Sequence, residues 1–155
     1  AFNVNHCVAM GGQTRFHSVQ NGLQSIETPS IIAVHDGVRP LVSISTIARC
    51  FSAAEIHNAA IPVIDLVDSL RKISGEESFS VNRSDYKLVQ TPQVFDGEFL
   101  KKAYQQAYSD KFTDDASVVE SLGEKIYLVE GNRENIKITT EMDLIIAKAI
   151  LSSAK

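Results

Sequence analysis

Short runs of β-branched residues alternate along this chain with stretches whose apolar positions recur every three or four residues. That change of period restricts the fold more than any other feature, because it demands strands and helices in alternation. Residues 30–35 (SIIAVH), rich in β-branched residues, and 59–64 read as buried strands, and residues 4–10 are apolar enough for another. Phe16, Val19, Leu23 and Ile26 mark one face of a helix that starts at Thr14. Ile44, Ile47, Phe51 and Ala54 mark a second, with Ser43 and Ser45 both suited to cap it. Asp96 caps a helix bearing Phe99, Leu100, Ala103, Tyr104 and Ala107, and Thr113 or Asp114 caps a shorter one that stops at Gly123. Residues 125–129 and 135–139 read as strands, and Thr140 with Asp143 resembles a capping box before a closing helix with Leu144, Ala147, Ile150 and Leu151. The fold class is therefore α/β, a mostly parallel sheet covered by helices.

One segment breaks the alternation. Residues 65–86 have no helical face and contain Ser74-Gly75-Glu76-Glu77, which predicts a hairpin or arm turning near Gly75. Residues 87–95 return towards the core and are interrupted by Thr91-Pro92-Gln93. No internal repeat, low-complexity tract or interdomain linker divides the 155 residues, so they read as part of one domain.

Composition excludes several classes of function. The 19 acidic residues outnumber the 15 basic ones, and no cluster of lysine and arginine is present, so a nucleic-acid partner is not expected. The apolar runs fall far short of the ~18 residues a membrane span needs. Residues 1–20 lack the parts of a secretory signal, and Cys7 and Cys50 make neither a disulfide framework nor a C-x-x-C pair. A reduced, cytoplasmic setting is expected, without membrane or nucleic-acid partners.

In an open α/β sheet, ligands bind outside the carboxyl ends of the strands. Gly11-Gly12-Gln13-Thr14-Arg15 joins an apolar run to a helix, and is either a tight turn or a place where a flat ligand nears the backbone. It is neither a Walker A loop nor a dinucleotide fingerprint. His35-Asp36-Gly37-Val38-Arg39-Pro40 follows a strand; Asp36 suits a hard metal ion or a hydroxyl and Arg39 a phosphate, although the two could simply pair within the loop. His35 is given no role. Lys137, between Ile136 and Ile138, either snorkels to the surface or meets a phosphate. No nucleophile elbow and no zinc spacing occurs.

VHDGVRPLVS (34–43), TPQVF (91–95), TDDASVVE (113–120) and LVEGNRENIKITTEMDL (128–144), taken in order, resemble the 2-C-methyl-D-erythritol 4-phosphate cytidylyltransferase family. Gly11-Gly12, Arg15 and Ser18-Val19 fit the same family upstream. The resemblance implies a Rossmann-like nucleotidyltransferase sheet in three α/β/α layers with a protruding β-arm. It also implies transfer of CMP from CTP to methylerythritol phosphate with release of pyrophosphate, assisted by Mg²⁺. Carried over by position, Gly12 and Ser18 would meet the cytosine, and Asp36 the metal and substrate, with Arg39 beside it. Arg83 and Lys137 would position the acceptor phosphate, and Ser69, Thr91 and Thr113 would be hydroxyl contacts. Ser69 stands where a threonine is more usual. The arm at about 65–86 would cross to a second copy, making a homodimer in which Arg83 acts in trans.

The family opens with a strand and a Gly-rich loop bearing an arginine and a lysine, and nothing like these precedes Gly11. The resemblance thus leads us to expect a C-terminal part of the enzyme, short by about two βα units of ~30 residues each and inactive or nearly so alone. Alternatives at this stage are a ribitol 5-phosphate cytidylyltransferase and a non-catalytic binding or dimerisation module.

Overall fold

The computed structural model describes residues 4–27 and 30–153. Helix α1 (Arg15–Leu23) precedes β1 (Ile31–Val34), α2 (Ile44–His57) and β2 (Ala59–Asp65). The arm follows, with β3 (Arg71–Ser74), β4 (Glu77–Ser80) and a 3-10 turn at Arg83–Asp85. The chain returns through β5 (Lys87–Val89) and β6 (Gln93–Asp96) to α3 (Gly97–Ala103), α4 (Asp115–Glu120), β7 (Tyr127–Glu130) and α5 (Glu141–Ser153).

Short polar side chains start the helices as the sequence implies. Thr14, Ser43, Asp96 and Asp114 each accept a hydrogen bond from the backbone N–H three residues on, which settles the two ambiguous caps as Ser43 and Asp114. Asp114 and Ser117 form a reciprocal box, and so do Thr140 and Asp143. Asn58 ends α2 in the left-handed region at φ 63°, and Gly123 follows α4 at φ 87°.

Strand β2 is the hub of the sheet. β7 lies parallel along one edge, with Ala60 opposite Tyr127 and Val63 opposite Glu130. Both β6 and β5 lie antiparallel along the other, with Ala60 opposite Val94 and Val63 opposite Val89. β6 also pairs antiparallel with β1, Ile31 facing Asp96 and Val34 facing Gln93. The expectation of a mostly parallel sheet is corrected here. β1, β2 and β7 point the same way, but β6 separates β1 from β2 and runs against both, so among the described residues only the β2–β7 ladder is parallel. The cause is the arm: a chain that leaves β2 as a hairpin must come back antiparallel beside it.

Alternation along the strands divides the core into two layers. Ala59, Ile61, Val63 and Phe95 face α1, α3 and α4, packed with Phe16, Leu100, Ala103, Tyr104 and Val119. Ala60, Val94 and Val129 face α2 at Cys50, Ala53 and Ala54. Helices therefore cover both faces in a three-layer α/β/α arrangement, and the β3–β4 hairpin stands off as a separate two-stranded sheet with Gly75 at its turn.

Two local expectations fail. Residues 4–10 form no strand; Val8 and Met10 are exposed, and no ladder partner lies beside them among the described residues. An apolar run becomes a strand only where a partner takes up its backbone groups. Residues 135–139 also form no strand; side-chain hydrogen bonds and isolated backbone bonds such as Ile138 N–H to the Val38 carbonyl hold them instead. The apolar stripe of α5 buries only Ala147, leaving Leu144 and Leu151 exposed. No helix among the described residues is long and apolar enough to cross a membrane.

Phe95 is fully buried between β1 and β2 and anchors the larger layer. Phe95→Ala is expected to cost about 3–5 kcal/mol in urea unfolding. A loss below about 1 kcal/mol would show that the layer repacks around the gap.

Candidate active site

The end of β1, the bend between β5 and β6, the N-terminus of α4 and the loop after β7 converge on a pocket of about 300 Å³. Arg15, Asp36, Arg39, Thr91, Thr113, Asp114 and Lys137 are among the residues that line it. A larger groove of about 680 Å³ lies beside Asp65, Lys87 and Glu130 at the base of the arm, but it gathers none of the carboxylate–cation cluster described next.

Asp36 is the centre of that cluster. Its carboxylate lies 3.2 Å from Lys137 Nζ, 3.4 Å from Arg39 Nε and 3.7 Å from an Arg15 guanidinium nitrogen. Burial opposes its ionisation, but Lys137, Arg15 and Arg39 outweigh burial and hold its pKa below the ordinary 3.8. Arg15 is itself held from beneath by Asp115, through two bonds of 2.9 and 2.6 Å. Asp115 is fully buried and also accepts from the Tyr104 hydroxyl at 2.5 Å. Burial and then the Asp115 charge push the Tyr104 pKa up, so the phenol stays a proton donor.

A chain of hydrogen bonds fixes the loop that presents Asp36. The Asp36 N–H donates to Thr91 Oγ1 at 3.0 Å, and Thr91 Oγ1 lies 2.9 Å from His35 Nδ1. His35 Nε2 lies 3.0 Å from the Arg39 carbonyl, which can only accept. The neutral ring that satisfies all three bonds carries its proton on Nε2 and receives the Thr91 hydroxyl at Nδ1. His35, given no role from sequence, is thus part of the frame of the site.

The residues singled out from sequence do not all meet. Asp36, Arg39, Thr91, Thr113 and Lys137 are brought together, with Arg15. Ser69 and Arg83 are exposed on the arm, where Arg83 donates to the Val67 carbonyl. Gly12 and Ser18 lie at the start of α1, with the Gly12 N–H donating to Ser18 Oγ at 2.9 Å. A Cβ at Gly12 would collide with His17, so packing alone already requires glycine there. Asp115, Tyr104, Gln93 and Asn135 were not foreseen. Gln93 spans to α4, donating to Asp114 Oδ2 and accepting from the Ala116 N–H. A signal for Asp115 did exist: of two successive aspartates before a helix only one can cap, and the other needs a different partner.

With this geometry established, comparison with known proteins is decisive. The sequence profile of 2-C-methyl-D-erythritol 4-phosphate cytidylyltransferase matches residues 4–153. The chain belongs to that family. It is 57% identical over 150 residues to the Bacteroides fragilis protein of that name, an alignment covering 97% of this chain and 68% of the relative. The crystal structure of the Thermus thermophilus enzyme superposes with a TM-score of 0.81 at 37% identity, covering 92% of this chain and 71% of that one. The Francisella tularensis structure superposes with a TM-score of 0.82 at 32% identity, covering 96% and 74%.

The depressed pKa of Asp36 fixes the sign of its contribution to stability. A carboxylate lowered in the folded state stabilises fully above its unfolded pKa and loses that contribution as pH falls through the folded value. Urea unfolding of the wild type and Asp36→Asn should differ by a constant amount between about pH 5 and pH 7. The difference should shrink below the ordinary 3.8. A difference that stays constant down to about pH 2 would show that the three cations do not act on Asp36.

Proposed function

We propose that the pocket works in the transfer of CMP from CTP to 2-C-methyl-D-erythritol 4-phosphate, with release of pyrophosphate. The observation that carries this reading is the Asp36–Lys137–Arg39–Arg15 cluster at the carboxyl end of β1, in a chain of this family. In the reaction a phosphate monoester oxygen attacks the α-phosphorus of the nucleotide, so two polyanions must approach each other. The protein's part is positioning and charge neutralisation, and no side-chain nucleophile is called for. Lys137 and Arg39 hold the acceptor phosphate, while Thr91 and Thr113 offer hydroxyls to it and to the sugar alcohol. Gly12 and Ser18 face the cytosine across the start of α1.

Charge balance says what else the site takes. Arg15, Arg39 and Lys137 are matched in number by Asp36, Asp114 and Asp115, so an incoming phosphate finds no net excess of positive charge. Further cations supply it in this reading. Among the described residues no group of three or more acidic, histidine or cysteine side chains gathers to hold a metal unaided. Mg²⁺ needs only one or two carboxylates when phosphate oxygens and water complete its shell, and Asp36 fits as that carboxylate. The ion supplies neutralisation of phosphate charge when bound. Arg83 is the second source. Val67, Ile73 and Phe79 on the arm are exposed apolar side chains, which supports an arm that packs on a second copy and delivers Arg83 to its site.

Calorimetric titration of the protein with methylerythritol phosphate tests the reading, with ribitol 5-phosphate and unphosphorylated methylerythritol as comparisons. Methylerythritol phosphate is expected to bind most tightly, and Lys137→Met to weaken it about 10- to 100-fold, the loss of one charge-assisted bond. Equal affinity for ribitol 5-phosphate, or none for either phosphate at millimolar concentration, would overturn it. Light scattering at micromolar protein should return twice the chain mass, and a monomer would overturn the dimer.

A further inference from the structure

We propose that Asn135 is a positioning residue for the acceptor phosphate, holding Lys137 and Arg39 in register with Thr91. This rests on the reading of the pocket given above and deepens it.

Asn135 is fully buried, yet its side-chain oxygen has no hydrogen-bond partner among the described residues. Its Nδ2 donates to the Thr91 carbonyl at 2.8 Å. Its own backbone carbonyl receives Arg39 Nη1 at 2.8 Å and Gln90 Nε2 at 3.2 Å. The amide cannot be turned over, because its oxygen would then face the Thr91 carbonyl, acceptor against acceptor. A buried amide with an unsatisfied acceptor stabilises less than a well-packed apolar side chain would. What this side chain provides is one donor, aimed at the bend that carries Thr91.

The placement of Lys137 depends on that donor. Residues 135–138 belong to no strand, so no ladder sets the direction of the lysine. The segment is tied at one end by the Asn135 bonds and at the other by Ile138 N–H to the Val38 carbonyl at 2.9 Å. Lys137 lies between these ties and reaches Asp36. Arg39 and Thr91, both fastened to Asn135, also meet Asp36. Asn135 therefore joins three chain segments, reaching Thr91 through its side-chain amide and Arg39 through its backbone carbonyl; Lys137 and Arg39 meet the Asp36 carboxylate, and Thr91 meets the Asp36 N–H. Gly12 and Ser18 are not part of this network.

The test compares wild type and Asn135→Asp, which keeps the shape and exchanges the donor for a second acceptor. Methylerythritol phosphate, inorganic phosphate and cytidine are titrated by calorimetry, and unfolding is followed in urea. Affinity for both phosphate probes should fall at least tenfold, while affinity for cytidine changes less than twofold. A uniform loss across all three, or no loss, overturns the proposal. If wild type binds inorganic phosphate but not the phosphosugar, the functional reading falls, and the phosphate titration still decides the role of Asn135. In case the variant does not fold, the side-chain amide signal of Asn135 is followed by NMR in the wild type. It should shift with methylerythritol phosphate and remain in place with unphosphorylated methylerythritol. An unmoved signal in both overturns the proposal.

Discussion

Strand β6 lies between β1 and β2 and runs against both, and the site depends on that placement. Because β6 is antiparallel, its beginning lies beside the end of β1, so Thr91 and Gln93 arrive where Asp36 leaves the sheet. A parallel strand in the same position would bring its far end, near Asp96, to that point. The antiparallel return is in turn a consequence of the arm, since a hairpin leaving β2 has no other direction in which to come back. The excursion that looks like decoration on the domain thus decides which residues share the pocket.

The electrostatics follow from the same geometry. Asp115 is completely buried, and a buried carboxylate is tolerated only with partners that satisfy it. Arg15 and Tyr104 do so from α1 and the end of α3, which couples the helix layer to the sheet edge. The guanidinium held in this way then faces Asp36, so the outer ion cluster is built on an inner one. Each charge is matched before any substrate enters, and that is why a phosphate requires more positive charge than the folded chain presents in the pocket.

The sequence made much of this legible, and the limits have physical causes. Helix starts were readable because caps are local: Ser43, Asp96 and Asp114 each bond a group three residues away. The strands 31–34 and 59–65 were readable because they are apolar on both faces, as a sheet covered by helices requires. Strand direction was not readable, because period and composition are the same for either sense. Residues 4–10 and 135–139 misled for a related reason: apolar content reports burial preference, whereas a strand also needs a neighbour for its backbone. Asp36 and Lys137 stood out because charge beside apolar runs is conspicuous. Thr91, Asp115 and Asn135 took their meaning from partners 55, 100 and 44 residues away, respectively.

Distance along the chain also separates two kinds of residue in the pocket. Lys137, Arg39 and Asp36 present charges outward, and their chemistry can be inferred from residue type at a loop. Asn135, Gln93 and Asp115 face inward, and side chains of these types elsewhere in a sequence are ordinarily solvated. Burial changes what they do, because a hydrogen bond in a dry interior fixes direction as well as contact. The loop from Gly131 to Thr139 lacks regular structure, so direction is what it needs most. Its polar side chains, with single backbone bonds such as Gly131 N–H to the Val63 carbonyl and Ile138 N–H to the Val38 carbonyl, therefore take the place that a ladder holds in the strands.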